Sequence, residues 1–365
     1  MLPARFAPLA RVLGKHRLDA VALVPGANFR RLLARDFHQN ERPLVVLVFG
    51  DGGVAAVVPN LELGSFALLD LDGDIFEWRD EEGYQKAFDA VVKRYPMRRL
   101  GVEGQRMRVF ESLALAKASP GIEIIDVHRD IAAVRLHKTA REIEHLRRAI
   151  GISEEALEAT LQRVRPGMSE TEIEGMLVGE LFAAGAEDLS FRPIVAAAEN
   201  SARPHASARP DYRVKPGDVL LFDFGGRYGG MVADVTRTVF AGHCPDAARD
   251  IYATVLAANQ AGRAATRAGV TAHAVDDAVQ TVLEASPHAR FRRHKTGHGL
   301  GLDVHEDPYI MRGNNEVLEP GMVFTIEPGL YDLSRFGVRI EDDVAVTVSG
   351  ADCLTSFARD IRVVG

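Results

Sequence analysis

Two blocks of this sequence recur in the same order, about a hundred residues apart, and that repeat restricts the fold more than any other feature. Arg165-Pro-Gly-Met-Ser169 matches Arg267-Ala-Gly-Val-Thr271 in residue type, and each block precedes an amphipathic helical pattern. Val214-Lys-Pro-Gly-Asp-Val-Leu-Leu-Phe-Asp-Phe-Gly225 matches Leu318-Glu-Pro-Gly-Met-Val-Phe-Thr-Ile-Glu-Pro-Gly329 at nearly the same offset. One Pro-Gly before a strand is commonplace. Two matched blocks at one offset point to duplication, so this region is expected to fold as two similar halves related by a pseudo-twofold. In each copy the apolar strand ends on an acid: Asp223 in the first, Glu327 in the second.

Those acids are chemically out of place. Asp223 directly follows Val219-Leu-Leu-Phe222, and Glu327 directly follows Val323-Phe-Thr-Ile326. A carboxylate at the end of a buried strand costs several kcal/mol unless it is paired or metal-bound. Asp234 lies beyond a turn containing Gly225, Gly226, Gly229 and Gly230, a spacing that predicts a β-hairpin with the two acids side by side. Glu341, in Val338-Arg-Ile-Glu341, follows Glu327 across a turn containing Asp332, Ser334 and Gly337. Each half therefore offers two acids on adjacent strands. Four converging carboxylates repel strongly, and two divalent cations would neutralise them, at the spacing of about 3.5–4 Å usual in dinuclear hydrolases. An imidazole is the common additional ligand. His298, in Thr296-Gly-His-Gly-Leu-Gly301, is the candidate, with flanking glycines that permit close backbone approach. Taken singly, Asp234 and Glu341 read as solvated turn acids, and His298 reads equally well as a core histidine. Taken together in a duplicated context, metal binding explains them better.

The rest of the chain fits a two-domain globular protein. At 365 residues it is too long for one ordinary core. Hydrophobic residues make up 47% and charged residues 26%, which excludes a disordered or collagen-like chain. No apolar run reaches the roughly 18 residues of a membrane helix, so no membrane association is expected. Acids outnumber bases 51 to 44, which argues against a nucleic-acid partner. The two cysteines, Cys244 and Cys353, make no disulfide framework, so a reducing, cytoplasmic location is expected. The first residues carry Arg5, Arg11, Lys15 and Arg17 with no acid before Asp19, as a transit peptide would. They lack a long apolar core and a small-residue cleavage site, so an amphipathic first helix is the preferred reading.

Val21–Val24, Leu44–Phe49, Val54–Val58, Leu100–Val102 and Ile122–Val127 are short apolar runs that predict strands. Glu81–Tyr95 and Arg106–Ala118 carry a helical period, and Gly52-Gly53 predicts a hairpin. This is a small α/β domain ending near residue 130. Ala140–Leu161 predicts a charged helix stopped by Pro166-Gly167. Ser169 to Glu172 forms a capping box that opens a helix running to about Ala184.

These residues resemble a known family. Asp223-Phe-Gly-Gly-Arg-Tyr-Gly-Gly-Met-Val-Ala-Asp234 resembles the first two-ligand segment of the "pita-bread" metallopeptidases, family M24. Gly297-His298-Gly-Leu-Gly-Leu-Asp-Val-His305-Glu-Asp-Pro308 is similar to their histidine segment. Glu319-Pro-Gly-Met-Val-Phe-Thr-Ile-Glu327-Pro-Gly and Gly337-Val-Arg-Ile-Glu341-Asp are similar to their last two. Asn28-Phe-Arg-Arg-Leu and Val134-Arg-Leu-His-Lys138-Thr-Ala-Arg-Glu142-Ile143 resemble the creatinase-like N-terminal domain and its connection. That layout is similar to prolidase and Xaa-Pro aminopeptidase (aminopeptidase P), whereas methionine aminopeptidase usually lacks the first domain. The resemblance implies an α+β chain: a creatinase-like α/β domain over residues 1–132, then a duplicated pita-bread catalytic domain over 133–365.

By the same resemblance the metal ligands are Asp223, Asp234, His298, Glu327 and Glu341. His205 contacts substrate near the scissile bond, His305 stabilises the tetrahedral intermediate, and Glu327 shuttles the proton. His294 and Arg339 belong to the substrate pocket. Arg312 lies in the loop where prolidases place a carboxylate-binding arginine. Two divalent ions are implied, Mn²⁺ first by the hardness of the oxygen ligands, with Co²⁺ or Zn²⁺ as alternatives. The implied activity is hydrolysis of the bond before proline by a metal-bridging hydroxide. The expected substrate is an Xaa-Pro dipeptide, with longer peptides as the alternative, and a homodimer is expected. Relatives that hydrolyse other C–N bonds, and catalytically inert peptide-binding relatives, usually lack some of these ligands. All five are present here.

Overall fold

The computed structural model describes residues 2–365. Between Arg135 and Leu136 the chain divides into two units.

A six-stranded sheet builds the first unit. Its strand order is Asp74–Trp78, Val54–Pro59, Val45–Phe49, Ala20–Leu23, Arg99–Val102, Glu123–Asp126. Strand side chains alternate between faces, so each face gathers its own core. Val21, Leu23, Val46, Val48 and Val58 pack with Phe6, Leu9, Val12 and Leu13 of the N-terminal helical segment. Ala22, Val45, Leu47 and Val57 pack on the other side with Phe88 and Val91 of helix Gln85–Arg94. The basic N-terminal segment is thus an amphipathic helix, Ala10–His16, with Val12 and Leu13 buried. Gly52, at φ 104°, turns Val45–Phe49 into its antiparallel neighbour. The edge strand Asp74–Trp78 had no sequence signal, because its residues are mostly exposed and include Asp74 and Glu77. Buried Arg135 closes the unit: its Nε donates to Asn28 Oδ1 at 2.7 Å, and Asn28 donates to Glu103 at 2.6 Å.

The second unit contains two copies of one plan. Helices Ala140–Arg163 and Glu170–Ala183 cover a four-stranded sheet ordered Val363–Val364, Val235–Ala241, Val219–Phe224, Ile194–Ala197. Helices Asp246–Ala265 and Ala272–Ala285 cover a five-stranded sheet ordered Glu306–Ile310, Gly297–Gly299, Val323–Ile326, Asp342–Val346, Ala351–Cys353. The repeated blocks do the same work in each copy. Ser169 bridges Arg213, and Thr271 bridges Val317. Gly167 N–H donates to Val214 O at 2.7 Å, and Gly269 N–H donates to Leu318 O at 2.9 Å. Ser169 and Thr271 both cap 14-residue helices, but only Ser169 has the reciprocal glutamate, Glu172.

The strands carrying the acids pair as expected. Val235 faces Phe224 and Thr236 faces Asp223, while Ile326 faces Asp342. Their connections are more elaborate than a single hairpin. The first leaves the sheet as a small ribbon, Gly226–Tyr228 against Met231–Val232, and the second as Gly329–Asp332 against Phe336–Arg339. Gly225 makes the first departure possible, since a Cβ there would lie 1.8 Å from the Ala233 carbonyl oxygen.

Replacing Ser169 with alanine should cost about 1 kcal/mol through the lost cap. Thr271→Ala should cost a similar amount if the two copies are equivalent. Urea unfolding followed by circular dichroism measures both, and an unshifted Thr271→Ala midpoint would break the equivalence.

Candidate metal centre

A buried acid needs something to replace its lost water, and the second unit gathers four such acids. Asp223 ends the Val219–Phe224 strand, and Asp234 precedes Val235–Ala241. Glu327 follows Val323–Ile326, and Glu341 precedes Asp342–Val346. His298 sits mid-strand in Gly297–Gly299, where Gly297 has no room for a side chain: a Cβ would lie 1.9 Å from Thr325 O. Donor atoms of these five residues, with His305 as a sixth, form overlapping groups within 4.8 Å: Asp223, Asp234 and Glu341; His298, Glu327 and Glu341; and Asp234, His298 and His305.

The imidazole turns one nitrogen toward the acids. His298 Nδ1 lies 3.1 Å from Gly299 O, so it donates its proton there. That leaves the Nε2 lone pair facing Glu327 at 3.5 Å and Asp234 at 3.7 Å. Burial, reinforced by the nearby His305, pushes His298 down to about 3 and keeps it neutral. Burial pushes Glu327 up to about 7; Arg339 opposes the rise and Asp223 adds to it. Asp234 and Glu341 are raised well above the carboxylate range, again by burial first and by neighbouring acids next.

Part of the charge is matched by protein. Arg339 is buried and its guanidinium pairs with Asp223 Oδ2. It also donates to Thr236 Oγ1 and to the Tyr331 hydroxyl, each at 2.9 Å. Thr236 Oγ1 in turn donates to Glu341 Oε2 at 2.6 Å. Tyr331 donates to His294 Nε2 at 2.7 Å, and His294 Nδ1 donates to Lys295 O at 2.7 Å. The other Asp223 oxygen, Oδ1, is buried with no hydrogen-bond partner. An orphaned carboxylate oxygen among four acids and a lone-pair nitrogen fits hard divalent cations, and neither cysteine lines the site.

These groups line one cavity of about 590 Å³, together with His205, His294, His305, Arg339, Arg293 and Lys295. The His305 ring lies against His298, with centroids 4.0 Å apart. Arg312 is not among the lining residues. Its guanidinium is held instead by Glu284, at 2.6 Å, and by Asp277. Four lining or supporting residues went unnoticed in the sequence. Thr236 shares a strand face with Asp234 by the period of two, which was the available signal. Tyr331, Arg293 and Lys295 had none, because only the folded chain brings them to the cavity.

Residues 144–348 match the model of metallopeptidase family M24. The chain belongs to this family. Residues 5–137 match the creatinase/prolidase N-terminal domain, so the layout is a creatinase-type domain followed by the family's pita-bread domain. The chain is 32% identical over 329 residues to an Xaa-Pro dipeptidase of Lactobacillus helveticus, covering 89% of each. Its fold is similar to that of a prolidase from Thermococcus sibiricus, with TM-score 0.93, 31% identity and coverage of 99% and 98%. It is also similar to an X-Pro aminopeptidase from Thermotoga maritima, with TM-score 0.84, 29% identity and 98% of each chain covered. The family implies divalent metal ions, and the donor set described above suits them.

The raised carboxyls predict how the metal-free protein responds to pH. A group whose folded pKa is raised stabilises the fold fully below its unfolded pKa and loses that contribution as pH rises through its folded pKa. Asp234, Glu327 and Glu341 act in this direction. His294 and His298, lowered to about 4 and about 3, act oppositely, but only up to their unfolded pKa near about 6.5. Chelator-treated protein should therefore lose thermal stability from about pH 6.5 upward, and added divalent cation should abolish the loss. Melting curves across that range check it; a metal-free Tm that rises with pH contradicts it.

Proposed function

We propose that this M24 peptidase hydrolyses the bond before proline, most efficiently in Xaa-Pro dipeptides, using two divalent ions held by Asp223, Asp234, His298, Glu327 and Glu341. The observation that carries this reading is the convergence of four carboxylates, one with an orphaned oxygen, and one imidazole in a cavity within the about 300–1,000 Å³ usual for small ligands. The names of the Lactobacillus and Thermococcus relatives support the substrate class. Hard oxygen donors favour Mn²⁺, with Co²⁺ and Zn²⁺ as alternatives.

Bound there, the two ions supply Lewis acidity and an acidified water. The protein supplies the rest. Glu327 faces the cavity and takes the proton from the attacking water. It then returns that proton to the leaving proline nitrogen, a secondary amine that must be protonated to depart. His305 and His205 line the same cavity; His305 donates to the developing oxyanion, and His205 contacts substrate near the scissile bond. Burial first, then the charges of Lys295 and His205, lowers the His305 pKa, so it works as a neutral N–H donor. Arg339 holds Asp223 and, through Tyr331, the His294 ring.

Arg293 and Lys295 favour the dipeptide. Both line the cavity, and neither ion-pairs with a carboxylate among the described residues. Arg293 donates only to the carbonyls of Arg290 and Arg292, and the Lys295 ammonium lies over the Tyr309 ring. Two cations left over beside the site suit the free carboxylate that follows proline in a dipeptide. The Thermotoga neighbour, named as an aminopeptidase, keeps longer peptides as the second reading.

Asp223→Asn should lower both metal content and kcat/KM by at least about a hundredfold, since it removes a buried ligand charge. In the wild type, kcat/KM for an Xaa-Pro dipeptide should exceed that for its C-terminal amide by about tenfold or more, the worth of one good ionic contact. Arg293→Ala combined with Lys295→Ala should erase that preference. Faster cleavage of an Xaa-Pro-Xaa tripeptide would overturn the dipeptide reading. Metal analysis of protein purified without added metal tests manganese.

A further inference from the structure

The His305 ring rests on the His298 ring but makes no hydrogen bond among the described residues, and its loop is partly open to solvent, so its position depends largely on its backbone. The next residue does not share that exposure. Glu306 opens the Glu306–Ile310 strand, and its side chain is only 1% exposed. It pairs with the Lys138 ammonium at 2.5 Å, whose side chain is 2% exposed. The second Glu306 oxygen accepts from the Asp303 amide at 3.4 Å, and Gly301 N–H donates to Asp303 O at 3.0 Å. The carboxylate therefore ties both ends of the loop that carries His305.

Lys138 is anchored at its other end. Its amide donates to Gly321 O at 2.8 Å, in the turn that leads into Val323–Ile326 and so to Glu327. Gly301 leaves the space the pair occupies: a Cβ there would lie 2.8 Å from Lys138 Cε and 2.9 Å from Glu306 Oε1. Lys138 thus fastens the loop of His305 to the turn before the strand of Glu327.

Stability alone does not account for such a pair. Two charges taken out of water lose about as much hydration as their attraction returns, and well-packed apolar substitutes are often neutral or better. What an ion pair adds over apolar contact is a fixed distance and direction. We propose that the Lys138–Glu306 pair is a positioning device that holds His305 against the donor cluster at a fixed place relative to Glu327. The inference rests on the reading of His305 as an oxyanion donor.

The test is the paired apolar variant Lys138→Met/Glu306→Leu, assayed on an Xaa-Pro dipeptide alone and combined with His305→Ala. The expected result is a Tm within a few degrees of wild type, unchanged metal content, a KM within about twofold, and kcat lowered about tenfold or more. His305→Ala should lower kcat strongly in the wild-type background and by less than about twofold in the paired variant, because the two changes remove one function. Full dependence on His305 in the paired variant, or an unchanged kcat, would overturn the proposal. Should the paired variant fold poorly, Glu306→Asp keeps the charge and shortens its reach; the same kcat loss is expected, and wild-type kcat overturns. A second readout is independent of turnover. In ¹⁵N-histidine-labelled, metal-free protein, the His305 ring signal, assigned by its loss in His305→Ala, should shift or broaden in the paired variant. An unmoved signal overturns the positioning role. Failure of the wild type to cleave Xaa-Pro would overturn the substrate reading and leave the ring signal to decide the positioning role.

Discussion

The desolvation of four carboxylates at one point is the constraint on which the rest of the catalytic unit depends. Isolated, each charge would cost several kcal/mol to bury. The fold meets that cost in three ways. Asp234, Glu327 and Glu341 hold protons more tightly than exposed acids do. Arg339 and Thr236 satisfy some of the oxygens. The remainder, including the orphaned Asp223 Oδ1, is left without a protein partner. An acid cluster satisfied entirely by protein would have no capacity to bind a cation.

Holding the acids in place requires the two copies to be joined tightly, and a second set of charges does that. Arg237 is buried between the copies. It donates to the Glu341 and Thr236 carbonyls at 2.6 and 2.9 Å and to Asp342 Oδ1 at 2.8 Å. Asp342 also accepts from Asn259 and Arg359. Burial pushes its pKa up, but Arg237 and Arg359 outweigh burial and hold it below the usual range. Backbone bonds add to the seam, since Glu341 N–H donates to Thr236 O at 3.1 Å. Asp342 is thus the opposite of its neighbour Glu341: arginines hold one acid ionised, while burial among other acids makes the other hold its proton.

Much of this was legible in one dimension because it rests on local rules. Ser169 and Glu172 announced a helix start through capping chemistry, and the unbroken apolar run Val45–Phe49 announced a strand buried on both faces. The acids stood out because a carboxylate ending an apolar run is costly wherever the chain goes. The edge strand Asp74–Trp78 was silent because an exposed edge has no need of apolar residues. The connection after Asp223 was read as a hairpin and that after Glu327 as a turn, because glycine reports freedom of the backbone, not where it is spent.

By itself the sequence determined the duplication and the types and order of the clustered acids and histidine, since those follow from residue identity and spacing. Which charges would be matched was decided only by tertiary structure. Arg312 carries the same charge as Arg293, yet Glu284 and Asp277 take it away from the cavity, while Arg293 remains beside it. Lys138 meets Glu306 across most of the catalytic unit's length of chain. Electrostatic partners depend on distances in space and on the exclusion of water, and neither quantity exists until the chain has folded.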